Sequence, residues 1–501
     1  MFITVGSRAL LLGTAVACAF ASGAHAAPSG GAGSASDPAN QAKIQEMEQE
    51  IQDLSAQIQD LKRSSSNQYA DVQKSQSSGV KVSIDNGRPT IASADGRFTA
   101  SIRALGQLDA AYYMQGGGAR ELPPANGPDL SSGVNFRRVY LGVQGKVFGD
   151  WSYNINFDFG GSNGTEQGGR IQSTYVQYDG LAPWAFRVGA YPPPAGLEDS
   201  TSAQDTIFLE RTAPSDVMRN TAAGDGRDAA TILYAGDRIF GAVSYTAGKV
   251  GDGAVFDEQS AAVGRLTGLA VSEPDAKLAV SAEGTWVFKA PDATQFNDTA
   301  RNITLSAPPE LTVDSTGTKL VTTGGLNVDN VKERGLEAGG FWQNLFAQAG
   351  WFNYQIDQRV APPALPKPDL SFSGWYAEAT WIITGESHGW NQANGAFTAP
   401  RPAREFHFDG GGWGAWELAA RYSDLDLNDH TGSIGLDPPY GGVRGGEQKI
   451  FTAGVNWYPN TVLKFSLDYQ HIDIDRLNNV TPFQSVGQTV QAISIRSQIS
   501  L

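Results

Sequence analysis

From residue 97 onward the chain repeats one pattern, with apolar residues at every second position and polar ones between them. It is clearest near the C-terminus. In GAWELAARYS, Trp416, Leu418, Ala420 and Tyr422 alternate with Glu417, Ala419, Arg421 and Ser423. In KIFTAGVNWYPN, Phe451, Ala453, Val455 and Trp457 alternate with Ile450, Thr452, Gly454 and Asn456. In VLKFSLDYQ, Leu463, Phe465, Leu467 and Tyr469 alternate with Lys464, Ser466, Asp468 and Gln470. In QAISIRSQISL, Ile493, Ile495, Ile499 and Leu501 lie opposite Arg496, Gln498 and Ser500. A period of two with one apolar face specifies β-strands. At about ten to fourteen residues these strands exceed the usual five or six and are long enough to cross a bilayer at a tilt. An apolar last residue that completes the alternation fits a strand closing a ring.

The same reading extends upstream. Phe98, Ala100, Ile102 and Ala104 oppose Thr99, Ser101 and Arg103. In VNFRRVYLGVQGKVFG, Val139, Leu141, Val143 and Val147 oppose Arg138, Tyr140, Gln144 and Lys146. In WSYNINFDFG, Tyr153, Ile155, Phe157 and Phe159 point outward, with Asn154, Asn156 and Asp158 inward. Further strands are expected near 170–179, 184–191, 229–235, 238–247, 260–270, 277–289, 331–342, 344–357 and 371–384. The total is about sixteen, an even number, as bacterial membrane barrels require. Connection lengths provide a second test, because links on the two sides of such a barrel alternate short and long. Gly149-Asp150, 180–183, 236–237, 272–275, Gln343 and 459–460 are short; 114–133, 192–228, 290–330, 426–446 and 476–489 are long. Only 385–413 breaks the alternation, being long where a short turn is due. The expected fold is an all-β transmembrane antiparallel barrel over residues 97–501.

The N-terminal part differs. Residues 1–26 read as a secretory leader, with Arg8, the apolar ALLLGTAVACAF and the small-x-small site Ala24-His25-Ala26. A lipoprotein signal modified at Cys18 is the competing reading. Residues 27–40 form a linker of small residues. In 41–63, Ile44, Met47, Ile51, Leu54, Ile58 and Leu61 recur at steps of three and four, the heptad of a short coiled coil. Residues 64–96, rich in Ser, Gln, Asp and Gly, read as a tether.

Composition narrows the function. A net charge of −15 argues against nucleic acid as a partner. Apart from the leader there is no apolar run of the length a membrane helix needs. The only cysteine, Cys18, lies in the leader. No catalytic motif surrounds His388, His407, His430 or His471, so neither an enzyme nor a metal or cofactor is expected.

FRRVYLGVQGKVFGDWSY, GWYAEATWIITGES, WGAWELAARYSDLDLN, FTAGVNWYPN and the closing RSQISL together resemble the phosphate-selective porin O and P family of Gram-negative outer membranes. The resemblance implies a sixteen-stranded trimeric barrel in outer-membrane lipid, with a loop folded into the pore. It also implies a long segment after TGES and, commonly, a leading coiled coil, which offers a contact to other copies or to the cell wall. The implied function is passive diffusion of small solutes, biased to phosphate or similar oxyanions by a ladder of arginines and lysines. Arg137 and Arg138 are where ladder arginines carry over; the lysines have no match. Such barrels usually end in phenylalanine, whereas this chain ends in Leu501. A non-specific diffusion porin and a structural or surface-binding barrel are the alternatives.

In such a barrel the alternation turns Arg103, Arg138, Lys146, Arg187, Arg421, Lys464 and Arg496 into the lumen, together with Asp109, Asp158, Glu378, Glu417 and Asp468. Arg137 has the opposite parity and reaches the pore only at a rim or a bulge. The constriction candidate is 192–228, which carries Glu198, Asp199, Asp205, Glu210, Arg211, Arg219, Asp225 and Arg227.

Overall fold

The computed structural model describes residues 38–85, 87–115, 129–161, 168–251, 257–292, 301–360, 364–479, 481 and 483–501. The expected leader and most of the linker lie outside the described residues. The chain divides into two compact units, residues 1–76 and 77–501.

Helix α1 spans Pro38–Ser78, 41 residues. Neither glycine nor proline occurs between Pro38 and Gly79, which permits so long a helix. The apolar stripe from Ile44 to Leu61 is at least 50% exposed at every member. The expected tether is more ordered than its polar composition indicated. Helix α1 runs through its first half, and a hairpin of Lys81–Asp85 with Arg88–Ala92 follows.

The barrel strands are β1 Thr99–Gln115, β2 Gly133–Val147, β3 Trp151–Asp158, β4 Arg170–Leu181, β5 Trp184–Ala190, β6 Arg227–Ala235, β7 Ile239–Lys249 and β8 Ser260–Ser272. They continue as β9 Ala276–Lys289, β10 Leu326–Trp342, β11 Leu345–Gln358, β12 Leu370–Ile382, β13 Ala415–Asp429, β14 Val443–Tyr458, β15 Leu463–Asp475 and β16 Gln488–Ser500. Each pairs antiparallel with the next. The last returns to the first, from Val490 opposite Gln115 to Ser500 opposite Leu105. Sixteen strands thus close a ring. Below the point where β16 ends, the hairpin strand Arg88–Ala92 takes over as partner of β1, with Ala92 opposite Thr99.

The alternation is realised on both faces. Ile155, Leu467, Ile495 and Val143 are exposed on the outer wall, while Asn154, Asn156, Asp468 and Arg496 are buried on the inner one. Aromatic side chains gather at two heights outside. Trp416, Trp457 and Phe465 stack with centroids 5.5 Å apart near the short turns. Trp375 and Tyr422, 5.4 Å apart, lie near mid-strand. The cluster near the short turns fits a belt at one edge of the hydrocarbon layer. Turns after even-numbered strands are short apart from 383–414, as expected. That segment forms a small hairpin, Gly389–Asn391 with Ala396–Thr398, and enters the barrel. Its Phe397 packs on Phe341 and Phe346, and Arg265 of β8 donates to the Asn394 carbonyl at 3.1 Å.

The outer wall makes a depth-dependent prediction. Ile495→Arg, mid-strand and outward-facing, should destabilise the barrel folded in lipid vesicles by about 2–4 kcal/mol, and Thr489→Arg near the rim by about 1 kcal/mol or less. Denaturant midpoints of the two variants check this.

Candidate functional site

On β2, pairing to β1 slips at Phe136-Arg137-Arg138: Gln107 is opposite Arg138, and the next residue, Leu108, is opposite Phe136. Arg137 is the extra residue of a β-bulge. Bulges re-aim side chains, and this one turns a second arginine inward. Both guanidinium groups meet Glu210. Arg137 does so through Nε and through Nη2 at 2.9 Å, and Arg138 through Nη2 at 3.1 Å. The chain leaving β3 backs the bulge. The Gly161 N–H donates to the Phe136 carbonyl at 2.7 Å, and a Cβ on Gly160 would lie 2.7 Å from Arg138 Cα. A side chain there would collide with backbone, so the close approach calls for glycine.

Glu210 belongs to the connection 191–226, which folds into the barrel. Inward-facing wall residues bond its backbone from around the ring. Gln107 and Gln498 donate to the Ala203 and Gln204 carbonyls at 3.0 Å each. Lys464 donates to Thr206 at 2.5 Å, Asn456 to Ile207 at 2.9 Å, Arg496 to Leu209 at 2.6 Å and Arg421 to Glu210 at 2.9 Å. Glu337 accepts the Leu197 N–H and, at 3.1 Å, the Glu198 N–H. Buried backbone groups need such partners, so the polar inner wall is what allows a loop to lie inside.

Helix α2, Ala213–Ala222, sits on this loop. Two carboxylates satisfy its N-terminus. Glu198 accepts the Thr212 N–H at 3.0 Å and its hydroxyl at 2.7 Å; Glu310 accepts the Ala213 N–H at 2.7 Å. Free N–H groups and the helix dipole both favour negative charge there. Glu310 comes from a second inward segment, 301–325, and also takes Arg421 Nη2 and the Ser423 hydroxyl, each at 2.6 Å. Burial opposes the ionised form of Glu210, but Arg137, Arg138 and Arg496 outweigh it and hold this carboxyl well below the usual range.

Among the described residues, three of the chambers between these segments and the wall are lined by several cationic side chains. The one nearest the long connections, about 520 Å³, is lined by Arg137, Arg170, Arg211, Arg219, Lys249 and Lys319, with Glu210, Asp216, Asp225 and Glu310. An inner chamber of about 220 Å³ shares the Arg137–Glu210–Arg211–Arg219 cluster and adds Arg103, Arg138 and Arg187. A third, about 490 Å³, lies at the short-turn side and is lined by Arg88, Arg401, Lys464 and Asp205.

The candidate residues therefore separate into groups. Arg103 and Arg187 line the inner chamber. Arg103 has no hydrogen-bond or ion-pair partner among the described residues, and Arg187 donates through Nε to neutral Gln177 at 2.7 Å. Arg211 donates to the Asp199 and Thr201 carbonyls at 3.0 and 2.8 Å; Arg219 pairs with Asp199 and Asp225, both at 2.7 Å. Arg421, Lys464 and Arg496 face inward as the alternation predicts but hold the loop, and Arg496 also forks onto Asp109 at 2.6 Å. Lys146 is exposed near the short-turn end of β2 and lines none of the three chambers. Asp158 pairs with Arg170 at 2.7 Å, and Glu417 with His388 at 2.7 Å. Sequence reasoning missed Glu310 and Glu337. Glu337 sits at an inward position of β10, a signal the alternation contains; Glu310 carried none.

Residues 118–500 match the family model for phosphate-selective porin O and P. The chain belongs to this family. This porin is 25% identical to Porin O of Pseudomonas aeruginosa over 403 residues, 78% of this chain and 86% of that protein. It is 26% identical over 403 residues to a protein of Caulobacter vibrioides, covering 77% of this chain and 71% of the other. Among solved structures, OmpT of Vibrio cholerae superposes with a TM-score of 0.47 at 11% identity, over 81% of this porin and 98% of OmpT.

Replacing Glu210 tests the clamp. Glu210→Gln should loosen the inward loop and raise the chloride-to-potassium permeability ratio severalfold by leaving Arg137 and Arg138 without an ion-pair partner. A carboxylate with a depressed folded pKa stabilises above its unfolded value, and the contribution disappears only as pH falls through the folded value. The difference between wild type and variant should therefore persist at pH 5, read as reversal potentials in planar bilayers.

Proposed function

We propose that this porin forms a water-filled channel for passive diffusion of small solutes across the outer membrane, biased toward phosphate and similar oxyanions. The inner chamber carries this reading. Six arginines line it against four carboxylates, and neither Arg103 nor Arg187 meets a carboxylate among the described residues. A pore selects by the charge at its narrow part rather than by the protein's total, so an overall charge of −15 does not oppose an anion path. Guanidinium stays ionised and matches oxyanions with two donors. Most other inward cations are engaged in holding loops, which supports a bias rather than strict selectivity. A channel rather than an enzyme fits the family and the closed barrel.

The test is the reversal potential of the purified protein across a potassium chloride gradient. Wild type should prefer chloride and be blocked by millimolar phosphate; Arg103→Gln and Arg138→Ala should each lower the preference. Cation preference in wild type, or no conductance, would overturn the reading.

We also infer that α1 packs against its counterparts in other copies, two of them in a trimer, giving a three-helix coil. Its stripe is exposed, and Lys43 and Glu48 occupy g and e positions that face each other between parallel, in-register helices. Deleting residues 40–63 should leave single-channel conductance intact while making the oligomer easier to dissociate in detergent. Loss of conductance in correctly inserted protein would contradict this.

A further inference from the structure

The hairpin that precedes the barrel carries a cation into the lumen. Its strand Arg88–Ala92 pairs with the start of β1, Thr90 opposite Ser101 and Ala92 opposite Thr99. The hairpin is seated at its tip, where Gly87 has a φ of +78° and a Cβ would lie 2.5 Å from Val462 Cγ2. A positive φ and so close an approach both call for glycine. With the tip held there, Arg88 and Thr90 line the chamber on the short-turn side, beside Ser101, Lys464 and Gln498. The paired positions end at Thr90 and Ser101. Counting two residues further along each antiparallel strand brings Arg88 abreast of Arg103, which lines the inner chamber.

Like charges abreast on neighbouring strands destabilise a sheet. At Arg138, Arg421 and Arg496 a carboxylate answers the inward charge. Neither Arg88 nor Arg103 has a hydrogen-bond or ion-pair partner among the described residues, and Arg88 Nε is buried without an acceptor. Burial first, and then the charge of Arg103, push Arg88 below the usual guanidinium range. Both side chains are only half-buried, so a solute in the lumen can reach them. The Thr90 and Ser101 hydroxyls, 2.8 Å apart, stand one step along on the same face. Two unanswered guanidinium forks with hydroxyls beside them suit an anion that carries two charges and several oxygens.

We propose that Arg88 and Arg103 together bind one doubly charged tetrahedral oxyanion, sulfate or hydrogen phosphate, which makes the hairpin before the barrel part of the permeation path. The proposal rests on the anion-channel reading above and adds a site to it. The probe is sulfate, titrated against the chloride current of wild-type protein in planar bilayers and compared with methyl sulfate, which has the same head and one charge fewer. Sulfate should block at about a tenfold lower concentration, equivalent to about 1.4 kcal/mol. Equal block by the two overturns the site while leaving anion preference standing. Absence of anion preference in wild type removes the reading beneath it. Arg88→Gln and Arg103→Gln should each weaken sulfate block severalfold, and the double variant should lose little more than either, because one anion is shared. Losses that add, or an Arg88→Gln variant that blocks like wild type, overturn the proposal. Since the comparison of the two anions needs no variant, a variant that fails to insert leaves the test intact.

Discussion

A hydrocarbon layer offers no partner for a peptide group, so a chain that crosses it must pair every amide within itself. In this porin that constraint is met by returning β16 to β1. The final residue takes part: the Leu501 N–H donates to the Ala104 carbonyl at 2.8 Å, and the Ala104 N–H to the Leu501 carbonyl at 3.3 Å. Once the ring is closed, side-chain direction follows from position along each strand, and every second residue becomes interior by geometry alone. The rest of the molecule is built on that interior.

The interior is polar for two purposes that draw on the same residue types. A loop with exposed amides cannot lie against an apolar wall without leaving buried groups unpaired. Gln107, Asn456, Lys464, Arg496 and Gln498 answer that need by bonding the loop's carbonyls. A charge taken out of water must also be matched, which accounts for Glu210 sitting where the Arg137 and Arg138 guanidinium groups converge and Glu310 against Arg421. What is left to act on solutes is the remainder, cations with no such duty. Inward direction therefore does not equal availability to a solute, and the fate of each arginine depends on which loop backbone reaches it.

The alternation made the barrel legible, down to strand limits within a few residues and the inward placement of Arg103, Arg187, Arg421 and Arg496. Periodicity of two is a local property, so it survives without knowledge of contacts. The roles of these residues are not local. Glu310 lies in an irregular connection with no period to read, yet it joins α2, Arg421 and Ser423. The segment 383–414 could be recognised as too long for a turn but not as lumen filling, because that depends on Phe397 finding Phe341 and Phe346 across the barrel. Arg137 was the intermediate case. Its parity showed that a regular strand would send it outward, and only the pairing to β1 reveals the slip that brings it in.

That slip has an evolutionary corollary. The β2 bulge holds one surplus residue, and the strand on either side stays in phase with the wall: Asn135 and Tyr140 both face inward across it. Loss of that single codon would restore a regular ladder with Phe136 outside and Arg138 inside, subtracting one charge from the interior without inverting either half of the strand. Homologous barrels can accordingly differ by an insertion at this position and differ in interior charge, a route to altered permeation that spares the membrane-facing surface.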